Sequence, residues 1–244
     1  MSAMPVSVRV PDPADSTIYI VGGDSRVGLL IAHHFVRAGA QRIGLIGRDA
    51  DLGDAAAKSI FGLASGVWAL SATGDVRDPA EAARILAELT GSLGDADILV
   101  NCMPDVLNCQ SVQYASTDDC SALLHHRALG PINMSRAVLQ AMRAQHSGTI
   151  VNVVGELPGS QVDGETVARF LTDSIVESEP DGVRINAIIH LPIDELGAGD
   201  DDLDGRRASK IAELVLYLCA SEAAHINMQA LRPPSSDISS LDVP

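Results

Sequence analysis

A short, mostly apolar run, Thr17–Val21, stops at Gly22-Gly23, and apolar residues then recur at helical spacing through Val27, Leu30, Ile31, Phe35 and Ala38. Strand, glycine turn and helix in that order open a parallel α/β layer, and the rest of the chain repeats the alternation. Gly39 ends the first helix in the left-handed conformation that glycine tolerates, and Ile43–Ile46 supplies a second strand. Val67–Ala72 reads as the third. Asp78-Pro79-Ala80-Glu81 opens a helix, with Asp as cap, Pro in the first turn and Glu81 reaching back, and Ala83, Leu86 and Leu89 are its expected buried stripe. Ile98–Asn101 is a fourth strand. A helix from about Asp118 to Gln145 turns Leu124, Ala128, Ile132 and Val138 inward, and Gly148–Val154 is a fifth strand. A shorter helix carries Val167, Phe170, Leu171 and Ile175, Val183–Ile189 is the sixth strand, and a last helix is expected from Arg207 to Ser221.

Such an order implies one doubly wound parallel sheet of about seven strands with helices on both faces. At 244 residues there is room for one domain of this kind, expected over 17–244 behind an extended arm, 1–16, that holds Pro5, Pro11 and Pro13. With 46% apolar residues and only 3% aromatics, the core is one of Ala, Val, Leu and Ile. A formal charge of −15 opposes nucleic acid and anionic membranes, and no apolar run is long enough to cross a bilayer, so the chain is expected in the cytoplasm. Cys102, Cys109, Cys120 and Cys219 form no Cys-x-x-Cys pair and have no histidine at metal spacing, so reduced thiols are expected and no metal is assigned.

Five stations along the chain resemble the short-chain dehydrogenase/reductase family. Val21-Gly22-Gly23-Asp24-Ser25-Arg26-Val27-Gly28 resembles its Thr-Gly-x-x-x-Gly-x-Gly turn, and Asp75-Val76 falls where the family has an Asp near the adenine. Leu99-Val100-Asn101 begins its Asn-Asn-Ala-Gly segment, Gly148-Thr149-Ile150-Val151-Asn152 looks like the strand before its catalytic serine, and Gly182-Val183-Arg184-Ile185-Asn186-Ala187 is similar to its Gly-Ile-Arg-Val-Asn-Ala strand. The resemblance implies a Rossmann-like domain and NAD(P) chemistry.

What the resemblance implies about catalysis is not matched by the residues. The family's Tyr-x-x-x-Lys, counted back from Gly182, falls on Ser160 and Gly164; its serine falls on Val154 or Gly155; its relay asparagine falls on Arg127. A serine hydroxyl without a base is a poor acid near neutral pH, glycine has no side chain, and loss of one positioned acid–base group alone lowers a rate about 10²–10⁴-fold. No catalytic residue is therefore assigned. In the cofactor turn Gly22, Gly23 and Gly28 survive with Asp75 as vestiges, while Arg26 replaces the glycine that lets a backbone approach the pyrophosphate. Its guanidinium either contacts a pyrophosphate or fills the pocket, and the bulk of Asn101-Cys102-Met103-Pro104 favours a filled one. Gly47-Arg48 would suit a 2′-phosphate if anything bound.

The expectation is a chain without cofactor of its own, retained as the non-catalytic subunit of a hetero-oligomer, a heterotetramer, with an active paralogue that carries NAD and oxidises a hydroxyacyl substrate of the aryl-succinyl-CoA kind. Leu124, Ala128, Ile132, Val138 and Met142, with Val167, Phe170, Leu171 and Ile175, are the expected docking residues. The segment Asp194–Asp204 puts six carboxylates in eleven residues where the family's substrate lid emerges, and would repel a polyanionic thioester within the ~8 Å screening length. Two alternatives stand beside this reading: a stand-alone cyclase, lyase or isomerase using Glu156, Asp163, His190 or Asp194, and a ligand-sensing scaffold protein.

Overall fold

The computed structural model describes residues 11–102, 117–156, 164–174, 182–191, 193 and 201–233, the side chains of 117–126 and 201–203 excepted. Seven strands form one parallel sheet: β1 Thr17–Val21, β2 Arg42–Gly47, β3 Trp68–Thr73, β4 Ile98–Cys102, β5 Gly148–Gly155, β6 Val183–His190 and β7 Ala230–Leu231. Their order is β3-β2-β1-β4-β5-β6-β7, every neighbouring pair parallel. Six helices connect or follow them: α1 Arg26–Arg37, α2 Ala50–Phe61, α3 Pro79–Leu93, α4 Thr117–Gln145, α5 Gly164–Asp173 and α6 Asp201–Cys219.

Because side chains alternate across a strand, β1 feeds both layers: Ile18 and Ile20 pack with α1, α2 and α6, whereas Tyr19 and Val21 pack with α3 and α4. The central strands are buried on both faces, as a doubly covered parallel sheet requires. At the far side, Ala128 and Ile132 of α4 meet Val167, Ala168 and Leu171 of α5 over Val154, Ala187 and Ile189.

Local sequence explains most element ends. Asp78 accepts the Ala80 N–H at 2.8 Å and Pro79 follows it, as expected for α3. Gly39 ends α1 with φ +101°. Elsewhere the structure corrects the pattern. The buried stripe of α3 is Ala82, Ile85, Leu89 and Leu93; Ala83 is exposed and Leu86 only partly covered, because the helix starts at Pro79 and its phase follows from there. The helix α2 is not expected from the sequence; its buried positions are Gly53, Ala56, Ala57 and Ile60, three of them small residues with little hydrophobic signal of their own. The last helix begins at Asp201 and ends at Cys219, where Arg207 and Ser221 were expected: Asp201, Asp202 and Asp204 stand in its first turn, and carboxylates there are favoured by the helix dipole.

Of the arm expected over 1–16, residues 1–10 lie outside the described residues, and 12–16 make turns in place of an extended run, with Asp15 N–H on Asp12 O and Ser16 N–H on Pro13 O. The expected docking residues are also revised. Ala128, Ile132, Val138, Met142, Val167 and Leu171 are buried against their own sheet and present nothing to a neighbour. Leu124 and Ile175 lie outside the described side chains. Phe170, also expected as a docking residue, is 48% exposed on α5 and is the one described member of that set available to another chain.

Candidate functional site

Doubly wound sheets bind ligands beyond the carboxyl ends of their strands, where the winding reverses. Here that point lies between β1 and β4, and the turn from β1 into α1 forms its floor. The N–H groups of Gly22 and Gly23 both bond the Ile46 carbonyl, at 2.7 and 3.1 Å, which ties the turn to β2. Ser25 caps α1: its Oγ donates to Gly22 O at 2.7 Å and accepts the Gly28 N–H at 3.1 Å. An amide of the first turn that a phosphate would use is therefore already bonded. Arg26 is the first residue of the helix, and its Nη2 lies 3.6 Å from the point where Gly205 of α6 would carry a Cβ. The guanidinium thus bridges from the turn toward α6.

On the β2 side, Asp24 Oδ2 accepts the N–H of Arg48 at 3.0 Å and of Asp49 at 3.3 Å. The carboxylate lies directly on Gly47, where an added Cβ would be 2.3 Å from Asp24 Cγ. Asp75, the vestige of an adenine contact, is engaged by Arg77: Nε donates to Oδ1 at 2.7 Å and Oδ2 at 2.9 Å, Nη2 donates to Oδ2, and the Arg77 N–H adds a bond of 3.0 Å to Oδ1. The hydrogen bonds from Arg77 hold the Asp75 carboxyl down to about 2. Asn133 of α4 fixes this corner by donating to the carbonyls of Val76 and Arg77, each at 3.0 Å.

At the other end of the crevice, two positions the resemblance singled out come together. Arg127 Nη2 donates to Gly155 O at 2.6 Å, so the relay-asparagine position is bonded to the end of the strand that should carry a serine. Val154 is buried in the α4/α5 layer. Gly164 is the first residue of α5 and fully packed; a Cβ there would lie 2.9 Å from Ile189 Cγ2 and 3.6 Å from Gly155 O. Ser160 lies outside the described residues, as do Asp163, Asp194 and Tyr114. Of the other tyrosines, Tyr19 donates its hydroxyl to Gly94 O at 2.6 Å, at the amino end of β4, and Tyr217 belongs to the last turns of α6, also at the amino ends. Neither reaches the crevice.

Glu156 and His190, considered as an acid–base pair, adjoin through backbone, with Glu156 N–H on His190 O at 2.6 Å. The Glu156 carboxylate is held bidentately by Arg232, at 2.8 and 3.1 Å, which ties the end of β5 to the chain after β7. His190 Nδ1 faces Leu191 O at 2.7 Å. Asn101, at the end of β4, donates to Ser135 Oγ at 3.1 Å and to Asn152 Oδ1 at 2.9 Å, a role inside the sheet.

Residue by residue, these groups do not fit a dinucleotide laid as the resemblance implies. The middle glycine is Arg26, the carboxylate near the adenine is paired, the amides beyond β2 are taken, and the position of the ribose-holding lysine is a glycine in tight contact. The last point has a consequence for repair. Gly164→Lys is expected to lower stability by about 1–3 kcal/mol in urea titrations, since α5 must move off Ile189; an unchanged midpoint would contradict the packing described. Asp24, Arg77 and the Glu156–Arg232 pair were not legible in the sequence. Arg77, two residues from Asp75, was the only one with a local signal.

Comparison with known proteins agrees with this architecture. The family model described as short chain dehydrogenase matches residues 16–190. The peroxisomal 2,4-dienoyl-CoA reductase [(3E)-enoyl-CoA-producing] of Rattus norvegicus is 26% identical, over 87% of this chain and 80% of its own. The 2-(S)-hydroxypropyl-CoM dehydrogenase 3 of Xanthobacter autotrophicus is also 26% identical, over 87% of this chain and 92% of its own. Among solved structures, a short-chain type dehydrogenase/reductase from Mycobacterium marinum superposes with a TM-score of 0.75 at 22% identity, covering 91% of this chain and 94% of that one.

Proposed function

Because this chain belongs to the short chain dehydrogenase family, we propose that it serves there as a non-catalytic subunit, binding no NAD(P) itself and assembling with an active paralogue. The paralogue would hold NAD, which would supply the oxidation of a hydroxyacyl substrate, with its own tyrosine as the acid–base group. The observation that supports this most directly is the Arg127–Gly155 bond. By the resemblance Arg127 stands at the relay-asparagine position, and its guanidinium is held on the carbonyl of Gly155, one of the two positions counted for the serine.

The names of the relatives favour a thioester or related sulfur-linked substrate for the complex, a CoA in one and a CoM in the other. The acidic start of α6 disfavours such an anion on this chain, which supports the reading that the paralogue takes it. An assembly of this kind resembles 2-(hydroxybenzyl)succinyl-CoA dehydrogenase, in which an inactive subunit accompanies an active one, with an aryl-succinyl-CoA as the substrate. Phe170 on α5 is the described member of the expected docking set that is open to a mixed interface. No helix among the described residues is long and apolar enough to cross a membrane, and we place the complex in the cytoplasm. The stand-alone enzyme is less well supported, because Glu156, its nearest base, is neutralised by Arg232.

Co-expression with a relative that retains Tyr-x-x-x-Lys tests the proposal. A stable mixed oligomer is expected, whose NAD reduction is abolished by Tyr→Phe in the relative and changes less than about twofold when Arg127 here becomes Lys. A homo-oligomer of this chain that reduces NAD(P) with an alcohol would sink it.

A further inference from the structure

Asp24 follows the two glycines of the turn, yet its carboxylate reaches sideways to the end of β2. There it bonds the N–H groups of Arg48 and Asp49 and rests on the bare Cα of Gly47. In doubly wound dinucleotide folds the end of this strand is where the adenosine ribose docks, either on an acid that takes its 2′-hydroxyl or beside a cation that takes a 2′-phosphate. Gly47-Arg48 has the composition of the second kind. The two amides that would receive an anion are nevertheless bonded to an anion of the chain itself, and a second negative group placed beside it would be repelled.

Resting on the reading that this chain takes up no dinucleotide, we infer that Asp24 is an intramolecular stopper: its carboxylate occupies the adenosine-ribose position at Gly47–Asp49, where a 2′-phosphorylated adenosine would otherwise sit. Exclusion at this end is then an active contact and not only the result of missing catalytic groups. It is independent of Arg26, which lies toward α6 at the pyrophosphate end. It also accounts for glycine at position 47, since any side chain there would collide with the carboxylate.

Adenosine 2′-monophosphate is the suitable probe, because it carries no 5′-phosphate, fills only the adenosine end and leaves Arg26 out of the comparison. Calorimetric titration of the full chain is expected to show Asp24→Ala binding it at least about tenfold more tightly than the parent. Amide hydrogen exchange supplies the second readout: the Arg48 and Asp49 amides are protected in the parent and at least about tenfold less so in Asp24→Ala. Should the alanine variant fail to fold, Asp24→Ser keeps one acceptor for these amides and serves in its place. Equal affinity in parent and variant, absence of binding by a folded variant, or unprotected amides in the parent each overturn the inference. Tight uptake of NADP+ by the parent overturns the reading beneath it as well, whereas a folded variant that stays empty leaves that reading standing.

Discussion

Alanine at position 28 is expected to cost at least about 3 kcal/mol and to leave much of the chain unfolded at 37 °C, although Gly28 lies in a cofactor turn that we propose is unused. The reason is internal to the chain. A Cβ on Gly28 would stand 2.1 Å from Gly22 O and 2.8 Å from Gly22 C, so backbone would have to retreat from backbone, and Gly22 is held by its own bond to Ile46 O and by Ser25 Oγ. Separating them pulls α1 from β1 and disturbs the layer formed by Val27, Ile31 and Phe35. Gly91→Ala is the matched control. It lies in α3 with nothing within 4 Å of the new methyl, and is expected to gain up to about 1 kcal/mol from helix propensity. Urea unfolding of the two variants decides the matter; a Gly28→Ala chain within about 1 kcal/mol of the parent would refute the backbone contact.

The same contrast explains why some glycines of the turn persist and one does not. Gly22, with φ +74°, and Gly28 are required by the chain's own path, with or without a ligand. The middle glycine position of the turn has to be small only for a pyrophosphate, and here it holds Arg26. A turn that keeps the glycines of the scaffold and loses the glycine of the ligand is what a subunit retained for shape would contain.

What could be read in the sequence follows the range over which each feature is determined. Strand and helix order, the Asp78-Pro79 cap and the left-handed Gly39 depend on a few consecutive residues, and the structure agrees with them. Elements fail where the residues are small or charged: α2 buries Gly53, Ala56 and Ala57 beside a single large residue, Ile60, and the first turn of α6 is a run of aspartates that resembles solvated loop. On α5 the spacing groups Val167, Phe170 and Leu171, yet Val167 and Leu171 are buried and Phe170 is exposed, because which edge of an amphipathic stripe is covered depends on the layer it meets. For the candidate site, counting along the chain located Arg127 and Gly155 separately, and only the fold brings them to 2.6 Å. Asp24 had no signal at all, since its partners are 24 and 25 residues away.

Above pH 9 the protein is expected to lose stability progressively, by a few kcal/mol by pH 12, and the loss arises from two buried acids. Burial pushes the Cys219 thiol from 9.0 up to about 12, against a smaller opposing pull from the Arg184 guanidinium. Burial likewise pushes Tyr19 from 10.0 up to about 12, with Asp95 and Asp97 adding to it. Both groups hold their protons more tightly folded than unfolded, so the native state carries the greater number of bound protons between the two values. Stability is then fully present below the unfolded values and falls as pH rises, across 9 to 12 for Cys219 and 10 to 12 for Tyr19. Each pH unit within a window is worth at most roughly 1.4 kcal/mol per group, and less for Tyr19, whose hydroxyl is only part-buried. The two variants separate the contributions. Tyr19→Phe gives up the bond to Gly94 O, about 1 kcal/mol at neutral pH, but flattens the decline above pH 10. Cys219→Ala removes the earlier part, beginning near pH 9, at the cost of a small cavity beside Arg184. Urea midpoints across this range measure both slopes. If the parent and Cys219→Ala fall in parallel from pH 9, the thiol does not remain protonated in the core, and the packing of α6 over β6 that buries it is wrong.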